Sequence, residues 1–360
     1  MRLPTTDGDP RGSSVDERES VKMIRRAIDG GVNYVDTAYF YHGGNSERAV
    51  GKALLDGYRD KVKLATKSPI WLLNEPDDFD KKLAEQLERL QTDHVDFYLL
   101  HALNQKTWPN VVLKFNLLNK AEQAIRDGRI RHLGFSFHDD LKTFTEILNG
   151  YDGWTCCQIQ YNYMDTENQA GTAGLKLAAE KGLAVIAMEP LLGGRLTNPP
   201  PVIREIYDGA PIKRSPAEWA LQWIWDQPEV SLLLSGMTTM DQVEQNLESA
   251  KRAQVRSFQP ADHAIIQQLR SRYLERTPIP CTKCGYCMPC PNGVNIPRNL
   301  ELFNEAKLHD DVPGSRYIYS HFFPTPEHAE GCKDCKDCEE LCPQKIPISE
   351  WLPKIAAALG

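Results

Sequence analysis

Residues 62–101 read VKLATKSPIWLLNEPDDFDKKLAEQLERLQTDHVDFYLLH, and this stretch decides the fold. It contains two short apolar runs, at 62–68 and 95–101, with a helix-like segment at 81–91 between them. Both runs are continuous rather than alternating in polarity, which is typical of strands that are buried on both faces. The stretch therefore predicts two parallel strands joined by a crossover helix.

The same pattern recurs along the chain up to about residue 275. Seven apolar runs have the length and composition of buried strands: VNYVDTA (32–38), VKLATKS (62–68), VDFYLLH (95–101), IRHLGFSF (130–137), CCQIQYN (156–162), LAVIAMEP (183–190) and VSLLLSGM (230–237). The helix-like segments between them include Val21–Gly30, Lys81–Gln91, Asn116–Gly128, Asn168–Lys181 and Met240–Ala253. Seven such strands predict an α/β fold of the (β/α)8 TIM-barrel type, and no run is followed by the G-x-G-x-x-G of a Rossmann fold. An eight-stranded barrel needs one more strand than these seven, and that strand should come first in the chain. MRLP (1–4) looks like only its last residues, so we expect a truncated N-terminus.

The overall composition excludes two classes of partner. The net charge is −7, which gives no electrostatic basis for binding nucleic acid. No run of about 18 apolar residues could cross a membrane, and the first residues lack the apolar core of a signal peptide. We therefore expect a cytoplasmic protein.

The cysteines mark a change of domain. Two of the ten, Cys156 and Cys157, are adjacent, and the other eight all follow residue 280. In a reducing compartment, such clustering predicts metal ligation rather than disulfides. The segment Thr277–Pro280 contains two prolines and suits a linker. We predict a barrel domain at 1–275 and a metal-binding domain at 276–360.

The eight late cysteines form two tight runs, each ending in Cys-Pro. The runs are Cys281, Cys284, Cys287 and Cys290, and then Cys332, Cys335, Cys338 and Cys342. Three thiolates two residues apart can wrap one face of an iron–sulfur cubane and leave one iron for a distant ligand. Structural zinc also uses C-x-x-C pairs, but usually with a longer spacer between the pairs. The sequence therefore favours two [4Fe–4S] clusters over zinc.

This arrangement resembles the two-cluster ferredoxins, in which the fourth cysteine of each run ligates the other cluster. The resemblance implies that Cys342 completes the first cluster and that Cys290 completes the second. A helix-like segment at 296–311 separates the runs. We therefore expect a ferredoxin-like domain that is mainly helical.

Ionisable side chains stand at the ends of three predicted strands. Asp36, Lys67 and His101 should meet at the barrel mouth, with Tyr41 in the loop above them. A hydride delivered to a carbonyl carbon creates an alkoxide, which needs a proton donor. Tyr41 can be that donor if Lys67, held charged by Asp36, lowers its ordinary pKa of about 10, while His101 orients the carbonyl. The alternative is a salt-bridge network at the rim.

These positions carry a family resemblance. The sequences DTAYFYHGGNSERAVGKAL (36–54), LATKSP (64–69), DFYLLH (96–101), RIRHLGFSFHD (129–139), QIQYNYMD (158–165) and IAMEPLLGGRL (186–196) resemble the aldo/keto reductases. The resemblance, to the branch with a C-terminal ferredoxin-like domain, implies that Asp36, Tyr41, Lys67 and His101 form the catalytic tetrad.

The same resemblance implies a nicotinamide site. Near the nicotinamide it places Ser136, Phe137 and Gln158, together with Met188, where relatives often have a stacking tyrosine. Near the adenosine it places Ser235, Gly236 and Asn246. The segment 236–246 has no basic residue for a 2′-phosphate, so the choice between NADH and NADPH stays open.

We therefore expect an oxidoreductase that reduces a small carbonyl, or oxidises the alcohol, with NAD(P)H. Its clusters would exchange electrons with a ferredoxin-type partner. Nicotinamide moves two electrons and a cluster moves one, and flavin usually couples the two. An unseen flavin therefore stays open, as do clusters that serve a substrate step directly or that are structural. The alternative is a nucleotide-sensing or electron-transfer subunit with little catalysis of its own.

Overall fold

The computed structural model describes residues 2–8, 12–308 and 310–360. Within these residues, seven strands form one parallel sheet in sequence order. The strands are β1 (Tyr34–Asp36), β2 (Lys63–Ser68), β3 (Val95–Leu103), β4 (Ile130–Phe137), β5 (Cys156–Gln160), β6 (Ala184–Met188) and β7 (Val230–Leu233). All seven predicted strands are therefore confirmed.

Helices connect the strands and continue beyond the sheet. They are α1 (Glu17–Asp29), α2 (Asn45–Ala53), α3 (Asp78–Leu90), α4 (Leu117–Arg126), α5 (Leu141–Asn149), α6 (Gly171–Glu180), α7 (Pro201–Gly209), α8 (Pro216–Trp225), α9 (Met240–Ala250), α10 (Pro260–Arg276), α11 (Ile296–Leu308), α12 (Val312–Phe322), α13 (Asp337–Glu340) and α14 (Ile348–Leu359). No helix among the described residues has both the length and the apolarity to cross a membrane.

The strands are buried on both faces, as their continuous apolar runs predicted. Neighbouring residues on a strand point to opposite faces, yet Cys156 and Cys157 are both fully buried. The consecutive residues Tyr98, Leu99 and Leu100 of β3 are also inaccessible to solvent. Helices therefore cover one face of the sheet while side chains of the strands fill the other.

The expected first strand differs from the prediction. Residues 2–4 are not in a strand, and Met1 lies outside the described residues. The backbone of residues 4–6 bonds antiparallel to residues 14–16, and the Leu3 amide donates to the His42 ring at 3.0 Å. These bonds occupy backbone N–H and C=O groups of residues 3–6 that a first strand would use to pair with its neighbour in the sheet. Within the described residues the sheet has β1 and β7 as its edges, so a complete eight-stranded barrel is not confirmed.

The chain divides into two compact units. The sheet unit comprises Met1–Leu191 and Glu218–Ser257, and the cysteine unit comprises Leu192–Ala217 and Phe258–Gly360. The segment between β6 and α8 thus packs with the C-terminal residues, as does α10. The boundary after residue 275 stays a prediction.

The described part of the cysteine unit contains helices and no strand. Helices α11, α12 and α14 pack on one another around a core that includes Leu300, Phe303 and Leu352. Helix α11 confirms the helix predicted between the cysteine runs. Cys281 and Cys342 belong to the same apolar core, so residues from both runs lie in one folded body.

Candidate functional site

A buried ion pair joins the ends of β1 and β2. Lys67, which is fully buried, donates from Nζ to Asp36 Oδ1 at 2.6 Å and to the Thr37 carbonyl at 2.8 Å. The other oxygen of Asp36 accepts a hydrogen bond from Gln158 Nε2, on β5, at 3.0 Å. Residues from three strands, 122 positions apart at the extremes, are therefore fixed to one carboxylate.

Two rings lie beside this pair. Tyr41 begins a turn after β1 in which His42 and Gly43 have left-handed backbone angles, and the Lys67 ammonium lies 5.0 Å from the centre of the Tyr41 ring. The ring of His101, on β3, meets the Tyr41 ring edge-on with centres 6.0 Å apart. The structure thus brings together the four residues that the sequence suggested for catalysis.

Burial governs the electrostatics of the site. It raises the pKa of the Tyr41 phenol above its ordinary value, although the Lys67 charge acts in the opposite direction. Burial by itself would lower the pKa of Lys67, but the Asp36 carboxylate and the neighbouring Tyr41 oxygen raise it, so the ammonium is retained. Lys67 therefore acts as expected on Tyr41, but burial outweighs it and the phenol keeps its proton at neutral pH.

His101 is a neutral ring. Burial, followed by the nearby Lys67 charge, holds its pKa well below the ordinary value of 6.5. Its Nδ1 atom is buried without a hydrogen-bond partner. A neutral imidazole carries one N–H, so His101 can donate a single hydrogen bond to an oxygen. Because the ring is neutral, it adds no second positive charge beside the Lys67 ammonium.

The mouth of the site is aromatic. Phe40 and Trp71 are each nearly half exposed, and their ring centres are 5.3 Å apart. Both rings also contact His101, at centre distances of 5.3 and 5.2 Å. A small carbonyl compound that reached His101 would therefore pass two large apolar surfaces.

A buried polar network supports β2 from behind. Glu47 Oε1, on α2, accepts hydrogen bonds from Thr66 Oγ1 and Gln86 Nε2, each at 2.6 Å. Gln86, on α3, also donates to the carbonyl of Lys67 at 3.0 Å and accepts from the Tyr98 hydroxyl at 2.7 Å. The network fixes the backbone that carries Lys67.

Sequence patterns did not predict this network. The one member of this network that the sequence pointed to was Glu47, which lies in the stretch at 36–54 that resembles the aldo/keto reductases. A buried glutamine such as Gln86 looks in sequence like an exposed polar residue of an amphipathic helix, because its burial depends on the packing of α3 against β2.

The eight late cysteines line two cavities in the cysteine unit. Cys281, Cys284, Cys287 and Cys342 line the first, and Cys287, Cys290, Cys332, Cys335 and Cys338 line the second. Each cavity thus receives thiols from both runs, as the resemblance to two-cluster ferredoxins implied. No three His, Cys, Asp or Glu side chains in the described residues converge closely enough to hold a single metal ion.

Backbone amides point at the thiols of both runs. The Lys283 N–H donates to Cys281 Sγ at 3.4 Å, and the Asp334 N–H donates to Cys332 Sγ at 3.5 Å. Burial raises the pKa of Cys287 to about 12 and that of Cys338 to about 11, so these thiols need a bound cation to become thiolates. Thiols that line a cavity, with amides aimed at sulfur, fit an iron–sulfur cluster.

Comparison with known proteins agrees with this geometry. The model of the aldo/keto reductase family matches residues 5–270. The chain belongs to the aldo/keto reductase family. A second model, that of the 4Fe-4S dicluster domain, matches residues 280–346, which include all eight late cysteines. Both parts of the resemblance seen in the sequence are therefore confirmed.

The names of similar proteins support the prediction that this chain is an oxidoreductase. The chain is 30% identical over 207 residues to the uncharacterized oxidoreductase YrpG of Bacillus subtilis, a match that covers 51% of this chain and 61% of the relative. It is 34% identical over 193 residues to aldo-keto reductase YhdN of the same organism, covering 51% and 55%. The chain thus spans less than two thirds of the length of either relative.

A solved relative gives the same fold. An aldo/keto reductase from Klebsiella pneumoniae in complex with NADP and acetate is 26% identical, with a TM-score of 0.59, over 72% of this chain and 88% of that one.

In the present chain, the residues suggested for the nicotinamide lie at the ends of β4 and β6 and in the middle of β5. Ser136 Oγ accepts a hydrogen bond from the Ala102 amide at 2.8 Å, and Gln158 is held by Asp36. Met188 ends β6. Phe137 is fully buried, and its ring packs on Phe135 and Phe144. Its side chain is therefore part of the packing around α5, unlike that of Ser136 on the opposite face of β4.

The residues suggested for the adenosine end lie after β7. Asn246 Nδ2, on α9, donates to Ser235 Oγ at 3.0 Å. A Cβ atom added at Gly236 would come within 3.0 Å of the Arg2 side chain, so the loop passes close to the N-terminal residues.

Proposed function

We propose that this aldo/keto reductase interconverts a small carbonyl compound and its alcohol, with Tyr41 as the general acid and base. The observation that carries the proposal is the buried Asp36–Lys67 pair beside the Tyr41 ring, next to a neutral His101. The alternative, a purely structural salt bridge at the rim, would explain neither the Tyr41 phenol beside the pair nor the buried His101 nitrogen without a hydrogen-bond partner.

The residues divide the work of carbonyl reduction. NAD(P)H, when bound, supplies the hydride; the NADP complex of the Klebsiella relative supports this cofactor, and Ser136, Gln158 and Asn246 offer polar groups to hold it. The protonated phenol of Tyr41 gives its proton to the carbonyl oxygen as negative charge develops there. Lys67 stabilises the phenolate that remains, and the His101 N–H orients the oxygen.

The two [4Fe–4S] clusters give the protein a route for single electrons. The dicluster model and the two thiol-lined cavities support them. We propose that they exchange electrons with a ferredoxin-type protein in a reducing, cytoplasmic compartment.

Substitution of Tyr41 tests the catalytic proposal. With anaerobically purified protein, Tyr41→Phe should lower kcat for aldehyde reduction by about 100-fold or more, because the acid is lost. Binding of NADH or NADPH, followed by fluorescence titration, should be unchanged. Tyr39→Phe is the matched control, since the Tyr39 hydroxyl bonds Glu85 on α3, and it should retain turnover. Full turnover in Tyr41→Phe would instead favour a nucleotide-sensing or electron-transfer subunit.

A further inference from the structure

An arginine from a distant part of the sequence touches the first cysteine run. Arg195 follows β6 in the chain, and its Nη1 donates to the carbonyl oxygen of Cys281 at 2.8 Å. The two residues are 86 positions apart, but both belong to the cysteine unit. The guanidinium is partly buried, so solvent screens its charge less than that of an exposed arginine.

The two cavities differ in the charges around them. Residues 281–291 include one basic residue, Lys283, and no acidic residue. Residues 332–343 include two lysines and four acidic residues: Asp334, Asp337, Glu339 and Glu340. Lys283 and Arg298 share Glu301, and Arg298 also pairs with Glu305, so these four charges balance and the charge of Arg195 remains in excess there.

Reduction adds one negative charge to a cluster. A nearby positive charge stabilises the reduced form and raises the reduction potential, whereas nearby carboxylates have the opposite effect. Arg195 would act on the cluster of the first cavity, and Glu339, adjacent to Cys338, would act on the cluster of the second.

We infer that Arg195 makes the first cluster, in the cavity of Cys281, Cys284, Cys287 and Cys342, the one with the higher reduction potential. An electron that the second cluster accepts from a low-potential donor of the ferredoxin class is therefore at the lower of the two potentials. It then passes to the first, which is reduced as the second is oxidised again. The inference rests on the proposed function in that both clusters must be present.

Potentiometric titration of the full chain, followed by EPR, tests the inference. Arg195→Gln keeps a hydrogen-bond donor but removes the charge, so the midpoint potential of the higher-potential cluster should fall. A shift of about 59 mV corresponds to a tenfold change in the one-electron equilibrium. The potential of the other cluster should stay unchanged. Arg195→Lys keeps the charge and should therefore retain most of the original midpoint potential.

Two further variants control the result. Arg204→Gln removes the same charge from an exposed position on α7 and should move neither potential. Glu339→Gln keeps the acceptor for the Ser349 amide and should raise only the lower potential. Absence of a shift in Arg195→Gln at full iron content, or a shift in the lower-potential cluster, overturns the inference. Absence of both clusters from the unsubstituted protein would instead contradict the proposed function, and iron and sulfide analysis detects that first.

Discussion

Lys67 is fully buried, so its ammonium depends on Asp36 for compensation. Removing one partner of a buried pair leaves the other charge without a counterion, whereas removing both does not. Lys67→Met should therefore lower the free energy of unfolding by about 3–5 kcal/mol. The double variant Asp36→Asn, Lys67→Met should recover a large part of that loss. Urea titration of the two variants measures the difference, and equal losses would contradict a compensated pair.

His138 links stability to pH. Burial lowers its pKa to about 4, whereas the unfolded chain has the ordinary value of about 6.5. Between these values only the unfolded state takes up the proton, so stability falls as the pH decreases from about 6.5 towards 4. His138→Gln should remove part of that fall, on the order of 1–3 kcal/mol.

The measurement is the difference in unfolding free energy between His138→Gln and the unsubstituted protein at pH 7.5 and at pH 5. The variant should gain relative stability at pH 5. Some pH dependence should remain, because the pKa of His101 is lowered in the same direction. An identical difference at both pH values would contradict a neutral His138.

Helices α2 and α3 are in close contact at a glycine. A Cβ atom on Gly51 would lie 2.7–2.9 Å from backbone atoms of Arg89 and Leu90 at the end of α3. Backbone atoms cannot rotate away, so Gly51→Ala must move one helix. We expect a loss of about 1–3 kcal/mol in unfolding free energy. Arg48→Ala, an exposed site on the same helix, should be close to neutral in the same titration.

Sequence patterns predicted which helices and strands exist better than they predicted the residues at which these begin and end. The helix expected at Val21–Gly30 starts at Glu17, because Asp16 caps it by accepting a hydrogen bond from the Glu19 amide. Its first turn is polar and carries no apolar periodicity. The strand-end residues Asp36, Lys67 and His101 could be found because parallel strands end at one edge of a sheet. The hydrogen bond from Gln86 that supports the backbone of Lys67 could not be found in this way, since it depends on how α3 packs against β2.

The division of the whole chain was also hidden from the sequence. The segment Leu192–Ala217 lies between two strands of the sheet, yet it packs with residues after 257. No local pattern reports such a partnership, because it depends on contacts between residues far apart in the chain. The contact of Arg195 with Cys281 is one consequence.

The cysteine runs provide a test of long-range organisation in the cysteine unit. If each cluster takes its fourth ligand from the other run, Cys342→Ala should lose the same cluster as Cys284→Ala. Cys290→Ala should likewise lose the same cluster as Cys335→Ala. The reason is that Cys342 lines the cavity of the first run, and Cys290 that of the second.

Iron analysis and EPR of the anaerobically purified variants decide whether the runs exchange their fourth ligands or each run holds its own cluster. Each variant should keep about half of the iron, and the surviving signal should be the same within each pair. Cys156→Ala is the matched control, because Cys156 is buried in β5 and away from both runs in the chain, and it should keep both signals. If Cys290→Ala instead left the same signal as Cys284→Ala, each run would hold its own cluster. Because exchanged ligands tie residues 281–290 to residues 332–342, loss of either cluster should also lower the stability of the cysteine unit.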